Sequence, residues 1–544
     1  MSSGPTRHRA PKARPQGWRR ARQWVQVLAF LLFVLTLLVP RYQSSHRALL
    51  NLWLRLDPLV ALSALIAGRI WIPGLALAGL TLLLTLVFGR VWCGWLCPLG
   101  SLLDWVRPRR TRLAPPSPRW RALKVVLLAS VLAAAVLANQ TLLVLDPITI
   151  AVRTFSTVVW PMLAVSVRSM ESLLYRFPFL WPTLDALHAS VVYPVFRDAQ
   201  PAFTAVSLVA FLLVSILALN WWTERFWCRY LCPLGGLLGL LSRLSLLRRT
   251  VGDSCASCAL CGGECPTGTI DPKDGFRSDP AECIVCCDCL EDCSRGGVAF
   301  RWQLPAWRPE HRRDYDPQRR QLLAGVGASL VGVALAGVEP IRRRQPADWI
   351  RPPGAAEANF ESLCVRCGAC VRVCPTQGLQ PALFEGGIQN VMTPRLVPRL
   401  GYCDYRCNAC GAVCPTGAIE ALELVDKQTT PIGLARIDRS RCLPWAYSIP
   451  CIVCEEACPV PQKAILLAEV DTVDHLGEPV RLLTPYVVKE LCIGCGICEY
   501  QCPMGGEAAI RVAAFTEVGG HVGIARGGQG RHRGRHVGAE GTDE

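Results

Sequence analysis

CASCALCGGECP, residues 255–266, decides the reading of this chain. Three cysteines spaced two residues apart, a fourth three residues on and a proline directly after it give the pattern C-x2-C-x2-C-x3-C-P. Three thiolates so close in sequence wrap one face of an iron–sulfur cubane, and the fourth, turned away by the proline, reaches a neighbouring cluster. Working outward, the pattern recurs at Cys283, Cys286, Cys289 and Cys293, where Ser294 replaces the proline, and at Cys364, Cys367, Cys370 and Cys374. It recurs again at Cys492, Cys495, Cys498 and Cys502. Cys403, Cys407, Cys410 and Cys414 carry one extra residue in the first gap, and Cys442, Cys451, Cys454 and Cys458 have a long first gap.

These six quartets take 24 of the 29 cysteines in 544 residues. Two C-x3-C-P motifs, Cys93 with Cys97 and Cys228 with Cys232, take four more and leave Cys287, a bystander thiol or a substitute for Cys286. A disulfide scaffold of this cysteine density would be far shorter. Zinc sites use two separated pairs, whereas three close cysteines and a distant fourth favour iron. About six [4Fe–4S] clusters are therefore expected. In residues 250–300, Cys255, Cys258 and Cys261 are expected to share a cluster with Cys293, and Cys283, Cys286 and Cys289 with Cys265.

Apolar residues make up 51% of the chain, mean hydropathy is +0.28, and the apolar residues are bunched. WVQVLAFLLFVLTLLVP (24–40) reads as an uncleaved spanning helix, a cleaved signal peptide being the alternative. Segments 70–89, 124–145 and 202–222 read as further spans, and 56–68 is too short to cross. Arginines beside the apolar runs put the N-terminus, residues 90–123 and the stretch after 222 inside, and leave 146–201 as an outer loop. The formal charge of +16 is explained by this placement rather than by nucleic-acid binding. QLLAGVGASLVGVALAGV (321–338), preceded by Arg319-Arg320, resembles a twin-arginine export signal acting as an internal signal-anchor; a buried helix or linker is the alternative, and Arg342, Arg343 and Arg344 weigh against export. The expected fold is an α-helical membrane anchor of four to five transmembrane helices bearing two ferredoxin-like α+β 4Fe–4S domains. The expected divisions are a basic disordered N-terminus (1–23), a membrane domain (24–249), a two-cluster domain (250–300), a linker (301–354), a four-cluster domain (355–515) and a disordered tail (516–544).

RVWCGWLCPLGSLLDW (90–105) echoes RFWCRYLCPLGGLLGLL (225–241), and Asp57-Pro58 echoes Asp146-Pro147, so the membrane part reads as two related units. Cysteines four apart share a helix face. Cys93, Cys97, Cys228 and Cys232 are thus structural thiols, a redox dithiol, or, if the repeats meet, ligands of one metal centre.

The phrases CPTGTI (265–270) and CPTGAI (414–419) resemble bacterial two-cluster ferredoxins. Residues 1–300 resemble the NapH/MauN-type membrane ferredoxins and residues 316–515 the NapG/MauM-type four-cluster ferredoxins, as if fused. The resemblance implies quinol oxidation at a bacterial inner membrane and electron delivery to a periplasmic reductase, such as a nitrate reductase, or to a c-type cytochrome. The arginine placement puts the first ferredoxin domain in the cytoplasm, and the signal-anchor reading of 321–338 puts the second in the periplasm. The resemblance also implies nested ligand sharing in residues 355–515. Cys364, Cys367 and Cys370 would take Cys502, and Cys492, Cys495 and Cys498 would take Cys374. Cys403, Cys407 and Cys410 would take Cys458, and Cys442, Cys451 and Cys454 would take Cys414.

No C-x-x-C-H occurs, no histidine falls inside an expected span, and neither a Walker loop nor a Rossmann fingerprint is present, so haem, nucleotide and NAD are not indicated. The expected partners are membrane lipid, the quinone pool and a periplasmic acceptor, with no nucleic acid. Asp57, Asp146 and Glu224 are candidate bases for quinol, each with helix capping or arginine pairing as the alternative role. No catalytic domain is evident. An assembly or metal-reducing factor for a metalloenzyme, and a cluster-based redox sensor, are the rival functions.

Overall fold

The structure, a computed structural model, describes residues 17–38, 51–106, 116–196, 203–293, 295–304, 319–336, 349–355, 360–473 and 478–514. The expected disordered tail 516–544 and most of the N-terminal segment lie outside them.

A helical unit is built from α1 (Trp18–Leu38), α2 (Pro58–Gly68), α3 (Pro73–Phe88), α4 (Pro98–Trp105), α5 (Ala122–Val136), α6 (Pro147–Leu174), α7 (Val206–Trp222) and α8 (Pro233–Ser242). Helices α2 and α6 start the same way. Asp57 accepts from the amides of Leu59 (2.8 Å) and Val60 (3.3 Å), and Asp146 from those of Ile148 (3.0 Å) and Thr149 (2.8 Å). A proline follows each aspartate, where its missing N–H costs nothing. The two buried carboxyls also lie near one another. Capping is thus their structural role.

Among the described residues two helices, α1 and α6, are long and apolar enough to cross a membrane; α3 and α7 are apolar but shorter. The expected count of four to five spans is therefore not met by length. The expected span 124–145 stops at Val136, since Ala138 turns left-handed (φ 56°). The expected outer loop 146–201 instead contains α6, 28 residues long. Thr, Ser and Arg153 dilute its apolar run, but Ser156 and Thr157 return their hydroxyls to the carbonyls of Val152 (2.7 Å) and Arg153 (3.0 Å) and so satisfy themselves within the helix. Helix α1 begins inside the segment expected to be disordered. It is ordered there because the Arg19 amide and guanidinium bind Glu291 (2.7 Å) and Asp288 (3.1 Å), and Arg22 binds Asp288 (3.2 Å).

Those acids belong to the first cysteine-rich domain, closed by β1 (Leu247–Val251) paired antiparallel with β2 (Val298–Trp302). The domain sits on one end of the helical unit. Lys124 binds Glu282 (2.6 Å), Arg90 donates to the Ala281 carbonyl (2.9 Å), and Arg229 donates to the Pro266 carbonyl (2.6 Å). A further helix, α9 (Arg319–Ala336), leads away along α5, with Gly325 against Val126.

The second cysteine-rich domain carries hairpins β3 (Leu379–Pro381) with β4 (Pro394–Leu396) and β6 (Ile465–Val473) with β7 (Pro479–Val487). The pair β5 (Leu434–Ile437) and β8 (Ile510–Ala513) joins its halves. It docks on the other end of the same helices. Arg372 donates to the Leu37 carbonyl at the far end of α1. Gln140 reaches the Ser362 carbonyl (3.1 Å), and the Thr204 amide, just before α7, reaches Gln380 (3.1 Å). The 21 residues of α1 span about 31 Å, so the two domains are held about a bilayer core apart.

Glu282 ties one of those ends. Burial alone would push its carboxyl up, but Lys124 and Arg90 outweigh that and hold it below the usual carboxylate range. Removing its charge strands two buried cations, a change of about 3–5 kcal/mol. We expect Glu282→Gln to release the first domain from the helical unit, seen as faster proteolysis between residues 243 and 304 with α1 still folded; unchanged cleavage contradicts this role.

Candidate metal centres

In each regular quartet two backbone positions turn left-handed. They are Ser257 and Ala259, Val285 and Cys287, Arg366 and Gly368, and Gly494 and Gly496, with φ between 51° and 82°. The turns curl the loop so that its three thiols face one centre and its amides line the wall. Cys287 is thereby explained. It occupies the left-handed position that is glycine in two of the other loops, and it lies beside Cys289. Cys286 lies beside Cys265, as a ligand must. In the two irregular quartets the equivalent residues, Asn408 (φ −128°) and Ile452 (φ −123°), are not left-handed.

The first domain assembles as expected. Cys265 joins Cys283, Cys286 and Cys289, and Cys293 joins Cys255, Cys258 and Cys261. The second does not. Cys414 lies with Cys364, Cys367 and Cys370. Cys374, Cys403, Cys407 and Cys410 line one cavity, Cys442, Cys451, Cys454 and Cys502 a second, and Cys458, Cys492, Cys495 and Cys498 a third. The thiols are therefore grouped consecutively, first quartet with second and third with fourth, and not in the nested arrangement expected. The cause is local. The β3–β4 hairpin links the first two quartets, Thr416 locks them by donating to the Leu363 carbonyl (2.6 Å), and the β6–β7 hairpin links the last two.

The fourth cysteine of a quartet is further served by backbone amides: Ile419 to Cys414 (3.4 Å), Ala464 to Cys458 (3.3 Å) and Ala509 to Cys502 (3.4 Å). Arg249 donates to Cys289 (3.3 Å). Such donors stabilise thiolate sulfur and tune the potential of a bound cluster. Burial pushes the Cys283, Cys367 and Cys454 thiols up to about 12, and Cys403 and Cys495 up to about 11, so a bound metal must displace their protons. All 29 cysteines are free of disulfides. Among the described residues no three of His, Cys, Asp and Glu converge tightly enough for a single metal ion. Four thiols gathered around each of three cavities fit a cubane, whose body is several atoms wide.

The C-x3-C-P motifs do not form the regular helix expected of them. Each is a single π-helical turn, Trp92–Leu96 and Trp227–Leu231, closed by the amide of the second cysteine on the carbonyl of the tryptophan before the first (2.9 and 2.8 Å). Arg90 and Arg225, one turn before each motif, were missed; the shared spelling Arg-x-Trp-Cys is the signal that could have found them. Arg225 donates to the Cys93 carbonyl (2.7 Å) and pairs with Asp104 (2.7 Å). Glu224 lies in the turn after α7.

Comparison with known proteins names these features. A 4Fe–4S binding domain model matches residues 70–116 and 202–252, a 4Fe–4S dicluster domain model residues 363–419, and a second 4Fe–4S binding domain model residues 485–506. The dicluster match covers the first two quartets of the second domain as one unit, in agreement with consecutive sharing. The methylamine utilization ferredoxin-type protein MauM of Methylorubrum extorquens is 37% identical over 225 residues, 40% of this chain and 94% of that protein. The chain belongs to the family of ferredoxin-type proteins that includes MauM and NapG. Ferredoxin-type NapG of Escherichia coli is 36% identical over 221 residues, 39% of this chain and 93% of NapG, and MauM of Paracoccus denitrificans 35% over 224 residues. These MauM- and NapG-like stretches thus fill well under half of the chain. No solved structure matches.

Consecutive sharing predicts that Cys374→Ser and Cys407→Ser perturb the same cluster signal in electron paramagnetic resonance, while Cys495→Ser perturbs another; a shared signal for Cys374 and Cys495 contradicts it. Cys287→Gly relieves a strained left-handed residue and should gain up to about 1 kcal/mol of stability with all iron retained. Loss of iron in that variant would make Cys287 a ligand.

Proposed function

We propose that the chain is a membrane-bound electron conduit that takes electrons from quinol, or from a cytoplasmic donor, and passes them to a periplasmic reductase or c-type cytochrome. Six [4Fe–4S] clusters are assigned to the six groups of thiols above. Such clusters, when bound, exchange single electrons without making bonds. The chain's own part is to hold them in line, exclude water and set their potentials through amide and arginine donors.

The observation that carries this reading is that α1 touches the first cysteine-rich domain with Arg19 and Arg22 and the second with the Leu37 carbonyl. One apolar helix with a ferredoxin-type domain at each end suits transfer across a bilayer. Outward-facing Leu28, Leu31, Leu32 and Leu35 on α1, Leu80 and Leu83 on α3, and Phe211 and Val214 on α7 suit a lipid surround. The arginines at the first-domain end favour the cytoplasmic side for residues 250–300, and the periplasmic side for residues 355–515. Quinol as donor rests on the likeness of the first half to NapH-type proteins, and Asp57, Asp146 and Glu224 remain the carboxyls nearest that role.

Two measurements test this. Protease added to right-side-out vesicles should cut within residues 355–515 and leave residues 250–300 intact, with the reverse in inverted vesicles. Quinol added to anaerobic membranes should bleach the cluster absorption. Both domains cut from the same side, or clusters that quinol and cytoplasmic reductants leave oxidised, would refute the reading. Reduction without turnover, with loss of a mature metalloenzyme on deletion, would favour the assembly factor.

A further inference from the structure

We infer that Cys93, Cys97, Cys228 and Cys232 together hold a further iron–sulfur cluster, a [4Fe–4S] cubane, inside the helical unit and between its two sequence repeats. The inference deepens the conduit reading and rests on it for its purpose, though not for its chemistry.

Four observations carry it. The two motifs, 135 positions apart in sequence (93 to 228), meet in space: Cys232 neighbours Cys228, Cys93 and Cys97, and Cys97 neighbours Cys93 and Cys228. All four are buried, with 4–8% of their surface exposed, and none is in a disulfide. Each of the stretches 70–116 and 202–252 that match a 4Fe–4S binding domain contains only two cysteines, so neither could complete a cubane alone. The fold brings the two pairs together.

The surroundings call for an anion. Arg90 and Arg225 are each 1% exposed, and both sit beside Cys93 and Cys228. Arg90 Nε and Nη2 find no acceptor on the protein, and neither do the indole N–H groups of Trp92 and Trp227, which precede the first cysteine of each motif. Arg90 Nη2 lies close to Cys232: a Cβ placed on Gly235 would be 2.8 Å from that nitrogen and 3.4 Å from the Cys232 Cβ. Buried donors left without acceptors carry a substantial penalty. A cubane bound by four thiolates is an anion with sulfur acceptors on every face, and it would satisfy them. Four neutral thiols would not.

Position supplies the purpose. A Cβ on Gly94 would lie 2.3 Å from the Ile284 carbonyl, so the loop of Cys93 presses backbone to backbone on the loop of Cys283 and Cys286. Trp95 donates to the Val285 carbonyl (2.8 Å). At the position of the second repeat that corresponds to Gly94, Arg229 donates to the carbonyl of Pro266, next to Cys265. Both motifs therefore abut the thiol group Cys265, Cys283, Cys286 and Cys289. One electron would enter the buried cluster from that neighbour and one would leave toward the second domain, with no bond made or broken.

The test uses the full chain, purified anaerobically in detergent. Iron and acid-labile sulfide per chain are compared with those of a Cys93→Ser/Cys228→Ser variant, with electron paramagnetic resonance signals from the remaining clusters as the control for folding. The expected result is a loss of about four irons and four sulfides per chain, with those other signals intact. A Trp227→Phe variant, which removes one of the unpartnered indole N–H groups, should keep its iron and lower the potential of one centre alone. Unchanged iron in the serine variant, or a Cys93–Cys97 or Cys228–Cys232 disulfide in the wild-type chain by mass spectrometry, overturns the inference and leaves the six-cluster conduit standing. A wild-type chain without iron overturns both. If the serine variant loses every signal, the Trp227→Phe variant decides: a potential changed at one centre supports the inference, and none changed overturns it.

Discussion

Glu282 is held between Lys124 and Arg90 at the foot of the helical unit, 4% exposed, and much of the architecture follows from that buried ion cluster. It fixes the first cysteine-rich domain to α5 and, through Arg90, to the turn that carries Cys93. The opposite repeat uses the same device with different partners. Arg225 takes its carboxylate from Asp104 within the helical unit. In the second repeat the residue in Asp104's place is Gly239, and a side chain there would strike the Ala281 carbonyl at 2.8 Å. The acid for Arg90 must therefore come from the docked domain. One broken symmetry makes the docking face and the buried arginine parts of a single construction.

The cysteine quartets were legible because their chemistry is local. In the four regular quartets the loop that wraps three thiols about one centre has fixed short spacings and two left-handed residues, both written within seven positions. Partner choice for the fourth cysteine is not local. In residues 250–300 the two quartets are adjacent and have no alternative, so the pairing could be read. In the second domain four quartets compete. Hairpins such as Ile465–Val473 with Pro479–Val487 decide the outcome, and their role shows only in the packing.

The membrane part was legible in its apolar runs and its capped Asp-Pro starts, and less so in its boundaries. Helix α6 hides from a hydropathy reading because Thr149, Thr154, Ser156, Thr157 and Arg153 are buried polar residues, most of them bonded within the helix or to its cap. The start of α1 hides for the opposite reason: its arginines look solvated in sequence, and only the acids of residues 288–292 explain their order. The meeting of Cys93, Cys97, Cys228 and Cys232 follows from a repeat that was visible, but a repeat alone does not say that its copies face one another.

The central claim is that this chain carries electrons from one face of a bilayer to the other. The purified chain in sealed vesicles, with an impermeant electron acceptor trapped inside and an impermeant reductant added outside, tests it without any natural partner. The account predicts that the enclosed acceptor is reduced at a rate proportional to the amount of chain incorporated. Clusters that the outside reductant reduces while the enclosed acceptor stays oxidised would contradict it.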